Sequence, residues 1–307
     1  MRNSSYFWVM NSTLRPLAFI ATLICLSSTP EGRAQNVTVI KMTGVRFAYP
    51  LIEHWIEEYT KVNPGVQLIV EWRGTNDPSQ YDILVEAFEH PAEIRKERDY
   101  TYIGRYAILP VANSRSAFAK TYGVKGLTTE TIRQIFFHDI FADKDNEEKI
   151  TVPFTTYTRL QKAGAPIVFA TYFKYEQKDI KGQGIAGSDE HLLKAVLRDT
   201  TGVSFLPTPV IYAKPDGVEG LTVIPVDLNG NDRVSNDEKF YQTRSEAIEH
   251  LIKAKDIRNV PMENIHLSVD RKSANPEALA FIRWVVDNRL NDLKDFGFLP
   301  SPVIPGQ

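Results

Sequence analysis

The sequence lacks the groups that most enzyme classes need. It contains one cysteine, Cys25, and none of the G-x-S-x-G, H-E-x-x-H or G-x-x-x-x-G-K-[ST] patterns of α/β-hydrolases, zinc proteases and P-loop proteins. Its six histidines are spread along the chain without the short spacing of metal ligands. Paired carboxylates such as Glu57 and Glu58 fall on the polar face of a predicted helix, where hydration explains them without catalysis. These absences predict that the protein is not an enzyme.

Concentrated positive charge is also absent. The net charge is −2, from 36 Lys and Arg residues and 38 Asp and Glu residues. The basic residues form no tract or stripe in the sequence. Proteins that bind nucleic acid neutralise phosphates with clustered Lys and Arg, so we predict no nucleic-acid partner. The length of 307 residues and the 43% hydrophobic composition are those of a globular chain large enough for two domains.

The N-terminal apolar run is too short to span a bilayer as a permanent helix. Residues 17–26 are apolar, basic residues precede them, and Gly32-Arg33-Ala34 has small residues at the two positions that a signal peptidase reads. We therefore expect residues 1–34 to be a cleaved signal peptide and the protein to be periplasmic or otherwise exported. The alternative is lipid anchoring through Cys25, which the bulky Ile24 before it disfavours.

The stretch 37–59 predicts a strand, a tight turn and a helix. Residues 37–40 are a β-branched run, Thr43 and Gly44 turn the chain, and Pro50 suits the first turn of a helix. The apolar residues that follow recur at helical spacing. Free backbone N–H groups and the helix dipole make such a turn a seat for an anion, and Arg46 lies within it.

The rest of the chain alternates in the same way. Strands are predicted at 66–72, 81–88, 102–111, 150–157, 203–206 and 221–225, and helices at 128–136, 167–175, 188–198, 238–253 and from 275 onward. This alternation predicts an α/β fold with mixed, mostly parallel sheets flanked by helices. Ligands of such folds lie outside the carboxyl ends of strands, so we expect the loops 43–47, 74–77 and 159–165 to meet at a binding site.

Several segments together resemble one family, the solute-binding proteins of phosphate-type ABC importers. The similar segments are T-G-V-R-F-A-Y-P-L-I-E-H-W at 43–55, L-T-T-E-T-I-R-Q-I-F at 127–136, G-S-D-E-H-L-L-K-A-V at 187–196, T-G-V-S-F-L-P at 201–207 and F-G-F-L-P at 296–300. The resemblance implies a two-lobed periplasmic binding protein fold of type II. It places lobe one at 35–112 and 209–307 and lobe two, as an insertion, at 113–208.

The resemblance also implies which residues bind the ligand. They are Thr43, Gly44, Arg46 and Phe47 in the opening loop, Thr75 in the next loop, Glu86 near the third strand, and Arg159 and Gly164 in lobe two. The family has Arg, three further residues and then Ser-Gly-Thr at this point of lobe two, whereas this chain has Ala163 and Ala165 beside Gly164. Each lost hydroxyl removes a hydrogen bond worth about 1 kcal/mol, and the Arg46 guanidinium could supply charged donors in their place.

A second pattern, D-L-N-G-N-D-R-V-S-N-D-E at 227–238, matches the spacing of an EF-hand calcium loop. The predicted ligands are Asp227, Asn229, Asn231, the Arg233 carbonyl and Glu238. One departure is Asp232, which stands where the loop normally has glycine. If the segment binds no metal, it is a polar loop that precedes a helix. If it binds a metal, we expect a structural Ca²⁺.

Two functions remain open from the sequence. The first is an exported, monomeric solute-binding protein that captures phosphate or a related small oxyanion for a membrane ABC permease. The second is a calcium-stabilised exported scaffold on the same fold whose ligand site has decayed, which the alanines at 163 and 165 favour.

Overall fold

The first strand and the first helix form where the hydrophobic pattern predicts them. A computed structural model describes residues 37–73, 77–138, 150–254 and 257–301, so the expected signal peptide and Thr75 lie outside the described residues. Strand β1 (Thr38–Gly44) leads through a 3-10 turn, Arg46–Ala48, into helix α1 (Tyr49–Val62), which has proline in its first turn. The Trp55 side chain on the apolar face of α1 is fully buried.

The other elements continue the alternation of strands and helices. The remaining strands are β2 (Val66–Val70), β3 (Ile83–Glu86), β4 (Arg98–Asn113), β5 (Thr155–Arg159), β6 (Gln183–Ile185), β7 (Gly202–Pro207), β8 (Leu221–Val223) and β9 (Met262–Asp270). The remaining α-helices are α2 (Ala92–Arg95), α3 (Ala117–Lys125), α4 (Thr129–Phe136), α5 (Gly164–Tyr172), α6 (Asp189–Arg198), α7 (Thr208–Ile211), α8 (Arg244–Lys253) and α9 (Pro276–Asn288). Further 3-10 helices cover Pro78–Gln80, Gln177–Asp179, Asn236–Glu238 and Leu290–Phe296.

The described strands form one mixed sheet. Their order is β2-β1-β3-β9-β4-β7-β5-β6, and β8 pairs with β4. Both ends of the sheet are parallel, because β1 pairs in parallel with β2 and β3, and β5 with β6 and β7. The middle is antiparallel. The predicted α/β fold with a mixed sheet is confirmed, although parallel pairs are not in the majority.

Strand β4 joins the two halves of the sheet. Its residues 98–107 pair with β9, and its residues 108–112 pair with β7. A bulge between Tyr102 and Gly104 bends the strand within the first of these stretches. Strands β1, β2, β3 and β9 form the first half, and β5 to β8 form the second. The strand ends at Asn113, where the resemblance places the start of lobe two; the lobe boundaries themselves stay a prediction.

Several helix starts follow from capping residues. Thr128 accepts a hydrogen bond from the amide of Thr131 at the start of α4. The buried Leu127 precedes it, at the position of a hydrophobic staple. Ser188 caps α6, whose bounds match the prediction. Under the second half of the sheet, the Phe169 and Phe205 rings stack with centroids 4.0 Å apart and fix α5 on β7.

Some element predictions were wrong. The central strand β9, the short strand β6 and helix α3 were not predicted. Strand β5 begins at Thr155 rather than at 150. Helix α8 begins at Arg244 rather than at 238, because Phe240 and Tyr241 are buried in a segment without regular secondary structure before it.

The apolar stripe of α9 was predicted only in part. The residues expected on its buried face were Leu279, Ile282, Val286 and Leu290. Ile282 is buried as expected, whereas Leu279 and Val286 remain 41% and 38% exposed. Ala278, Phe281 and Val285 are buried as well. The helix carries apolar residues around most of its circumference, so the periodicity did not determine which stripe faces the sheet.

Candidate ligand-binding site

A cavity of about 610 Å³ lies where loops after β1, β3, β5 and β6 meet. These loops leave the carboxyl ends of their strands, which is the position where open α/β sheets bind ligands. The lining residues are Gly44, Val45, Arg46, Phe47, Leu84, Val85, Glu86, Ala87, Phe88, His90, Arg159, Gln161, Lys162, Ala163, Gly164, Ala165, Gly187, Ser188 and Asp189. Both halves of the sheet therefore contribute to one site.

The structure brings most of the predicted ligand residues together. Those that line the cavity are Gly44, Arg46, Phe47, Glu86, Arg159 and Gly164. Thr43 does not line it, because its hydroxyl lies 3.0 Å from the carbonyl oxygen of Glu71 and 3.2 Å from the Tyr49 hydroxyl. The role of these residues in binding stays a prediction.

Gly44 allows the opening loop to lie against β3. Its φ is +145°, and a Cβ at this position would overlap the carbonyl oxygen of Val85. The same carbonyl accepts a 2.9 Å hydrogen bond from the amide of Val45. The loop is thus held directly on β3, and this places Arg46 and Phe47 at the cavity.

On the opposite wall, Arg159 pairs with Asp189. The Arg159 Nη1 and Asp189 Oδ1 atoms are 3.2 Å apart, and the two side chains are 12% and 7% exposed. Burial raises the pKa of the Asp189 carboxyl, while the charge of Arg159 opposes that shift. The Nε atom of Arg159 is buried and has no hydrogen-bond partner in the described part of the chain. The guanidinium therefore keeps a donor for a further acceptor.

Two helices begin at this wall. The N-terminus of α5 has Ala163 as its cap residue and no side-chain hydrogen bond to its first amides. At the start of α6, Ser188 Oγ lies 3.0 Å from His191 Nδ1 and caps the helix. Helix N-termini carry partial positive charge, so both favour a negative group in the cavity.

A network of polar side chains fixes the position of the Glu86 carboxylate. Its Oε1 lies 2.7 Å from His90 Nε2, and its Oε2 accepts a hydrogen bond from the Ser268 hydroxyl. Arg98 Nε donates to Ser268 Oγ at 2.9 Å. The fully buried His266 has its Nε2 3.8 Å from Glu86 Oε2, and neither of its ring nitrogens has a hydrogen-bond partner among the described residues.

Two further cations reach the cavity. Arg46 is half-buried and Lys162 is exposed, and within the described residues neither side chain makes a hydrogen bond or an ion pair. Sequence reasoning missed Lys162, as it missed Phe88, His90 and Asp189. Asp189 follows the cap residue Ser188, but nothing local in the sequence indicated that its side chain would be buried against Arg159.

The calcium-like loop 227–238 has a turn conformation of its own. Asp227 is fully buried, and its carboxylate accepts amide hydrogen bonds from Gly230 at 2.7 Å and Asp232 at 2.8 Å. Asp232 has a φ of +62°, the left-handed conformation that an EF-hand needs at this position. Glu238 accepts from the amides of Leu228 and Ser235, each at 2.7 Å. Among the described residues no three His, Cys, Asp or Glu side chains gather as a metal site.

Comparisons with known proteins agree on the fold. No protein-family model and no curated protein matches the sequence. A solved phosphate ABC transporter substrate-binding protein from Clostridium perfringens, with bound phosphate, is 12% identical, with a TM-score of 0.65 over 86% of this chain and 100% of that one. The fold is that of a phosphate-type solute-binding protein.

Two other solved structures show how widely this fold is used. An ABC-type phosphate transport receptor from Vibrio cholerae is 13% identical, with a TM-score of 0.55 over 86% of this chain and 100% of that one. The CcmR regulatory domain from Synechocystis, in complex with 2-PG, is 12% identical, with a TM-score of 0.53 over 81% of this chain and 96% of that one. Transport proteins and a regulatory domain thus share it. Within the described residues, no helix has the length and apolarity needed to cross a membrane.

Proposed function

We propose that the protein is an exported solute-binding protein that captures phosphate or a related small oxyanion and delivers it to a membrane ABC permease. The observation that supports this most directly is the cavity itself, because both halves of the sheet contribute cationic side chains to its lining. Arg46 comes from the first half, and Arg159 and Lys162 from the second. An anion that contacts both walls binds more tightly when the walls lie close together than when they are apart. Its binding therefore stabilises the closed arrangement.

Calorimetric titration of the purified protein with phosphate and then with other oxyanions tests the proposal. We expect binding that Arg46→Ala weakens without disturbing the fold, because the Arg46 side chain makes no hydrogen bond or ion pair within the described residues. Arg159→Ala is expected to weaken binding more. Arg283→Ala is the matched control, since Arg283 is an exposed arginine on α9 and does not line the cavity.

The decayed scaffold is the alternative. It is favoured by Ala163 and Ala165, which give the N-terminus of α5 no hydroxyl donors. A protein that melts cooperatively but binds no oxyanion would contradict the proposed transport role and support the scaffold.

We further propose that the loop 227–238 binds a structural Ca²⁺ through Asp227, Asn229, Asn231, the Arg233 carbonyl and Glu238. The left-handed Asp232 and the contact between Val234 and Gly126 support an EF-hand-like loop held against α3. Binding to the folded state alone would raise stability by about 2.7 kcal/mol at a hundredfold excess of Ca²⁺ over Kd.

The calcium test compares melting temperatures in EDTA and in millimolar Ca²⁺. Glu238→Gln is expected to abolish the Ca²⁺-dependent rise, whereas Asp237→Asn, an exposed carboxylate beside it, is expected to retain it. A wild-type melting temperature that is the same in EDTA and in Ca²⁺ would show that the loop is a metal-free turn.

A further inference from the structure

The cavity is larger than a simple oxyanion requires. Its volume is about 610 Å³. Phosphate and sulfate have five non-hydrogen atoms, which occupy about 150 Å³ at roughly 30 Å³ each, the share of a water molecule in the liquid. At the same density the remaining space accommodates roughly fifteen further atoms. The volume falls in the range of cavities that bind small organic ligands.

Much of the cavity wall is apolar. Eight of the nineteen lining residues are Ala, Val, Leu or Phe, among them Val45, Leu84 and Phe88. Phe88 packs on the His90 ring, with centroids 4.5 Å apart, and its ring lies close to Gly164 at the start of α5. An inorganic oxyanion gains nothing from these surfaces, whereas a ligand with a hydrocarbon body removes them from water.

The charged side chains of the cavity determine how many anionic groups a ligand can carry there. Arg46, Arg159 and Lys162 attract an anionic group, but the carboxylates of Glu86 and Asp189 also line the cavity. Like charges in a partly buried site repel, so a second anionic group on the ligand would be unfavourable next to Glu86. The arrangement suits one oxyanion group attached to an uncharged body.

We propose that the ligand is a small organic acid whose single oxyanion group contacts Arg46, Arg159 and Lys162 and whose uncharged, apolar body lies against Leu84 and Phe88. This inference rests on the proposed solute-binding function and specifies the ligand class of the same site. Phosphonate and carboxylate are the two head groups that share this chemistry.

Titration of the purified protein with two ligand series tests the inference. One series is inorganic phosphate, methylphosphonate and butylphosphonate; the other is acetate and pentanoate. We expect affinity to rise with chain length in at least one series, by up to about fourfold per buried methylene, and therefore up to about 60-fold from methyl- to butylphosphonate. Butylphosphonate or pentanoate is also expected to bind more tightly than phosphate.

Variants locate the apolar contact. Phe88→Ala is expected to reduce the affinity ratio of butyl- to methylphosphonate several-fold, and Leu84→Ala provides a second test if the first variant does not fold. Val124→Ala, which shortens a 70% exposed side chain on α3, is the control expected to keep the wild-type ratio.

The outcomes separate the two proposals. Phosphate binding as tight as that of every organic probe would overturn the organic-acid inference and leave the solute-binding function in place. Failure of a folded protein to bind any probe, phosphate included, would overturn the solute-binding function itself. A ratio unchanged in both Phe88→Ala and Leu84→Ala would overturn the position assigned to the ligand body.

Discussion

At the scale of single residues, the site depends on buried charges that compensate each other. Arg159 and Asp189 come from the end of β5 and the start of α6 and meet at 3.2 Å beside the cavity. Removal of one partner from a buried pair leaves the other charge uncompensated, which costs far more than the pair contributes as a whole.

Asp189→Ala is therefore expected to lower the free energy of unfolding by about 3–5 kcal/mol. Urea denaturation measures this change. Asp287→Ala, at an exposed position on α9, is the control expected to stay within about 0.5 kcal/mol of wild type. An equally small effect of Asp189→Ala would show that water reaches Arg159 and replaces the carboxylate.

A second residue-scale prediction concerns the fully buried His266. Burial lowers the pKa of its imidazole, and the nearby carboxylates of Glu86 and Glu89 oppose that shift, whereas His90 and Arg95 add to it. The rings of Tyr100 and Tyr102 pack on it without hydrogen bonds to its nitrogens. The folded protein thus favours the neutral form of this histidine.

Because its folded pKa lies below the unfolded value of about 6.5, the unfolded chain binds more protons once the pH falls under that value. His266 therefore lowers stability as the pH falls from about 6.5, by at most about 1.4 kcal/mol per pH unit. Urea denaturation from pH 5 to pH 8 should show this slope in wild type and a shallower one in His266→Phe. If stability depended on pH equally in the two proteins, His266 would not be the source of this pH dependence.

At the scale of elements, the packing of the segment 290–299 on β4 depends on a residue without a side chain, Gly104. A Cβ on Gly104 would lie 3.0 Å from both a methyl group of Leu293 and the carbonyl oxygen of Leu299. The glycine therefore allows the segment 290–299 to cover the strand. Gly123 in α3 is different, since nothing lies within 4 Å of the corresponding position.

Gly104→Ala is expected to destabilise the protein by about 1–3 kcal/mol through overpacking. Gly123→Ala makes the same chemical change in an open part of a helix and should stabilise it by about 0.5–1 kcal/mol. Thermal or urea denaturation of the two variants compares them directly. If both substitutions increased stability, the segment 290–299 would have to move away from β4 at little cost in free energy.

Sequence reasoning predicted the elements whose signals are local. Helices α1, α4 and α6 have a proline or a capping residue at the start and an apolar stripe, and they form where predicted. Strand β9 gave no such signal, because it is buried on both faces and carries His266 and Ser268 within its apolar run. A central strand of this kind is defined by its neighbours, β3 and β4, rather than by its own pattern.

The site was predictable to a similar degree. Arg46 and Arg159 are marked by a turn and by a motif, and both line the cavity. Lys162, Phe88 and Asp189 have no local signal, since their importance arises from contacts between segments far apart in the chain. Long-range packing therefore determined the part of the site that the sequence did not indicate.

At the scale of the whole molecule, the cavity draws on both halves of the sheet, so a bound ligand should stabilise them together. At a hundredfold excess over Kd, a ligand adds about 2.7 kcal/mol to stability. Thermal unfolding with the tightest-binding probe should therefore remain a single transition and shift to higher temperature. A shift confined to part of a two-step transition would show that the ligand contacts one half alone.

The position of β9 also constrains the order in which the protein can fold during synthesis. This strand lies between β3 and β4, yet it is translated long after both, at residues 262–270. Until it emerges from the ribosome, one edge of β3 and the first part of β4 have no partner, and pairings over such sequence separations form slowly. The nascent chain thus stays incompletely folded until residues 262–270 have been synthesised, and during that time the unpaired edge of β3 is open to other strands.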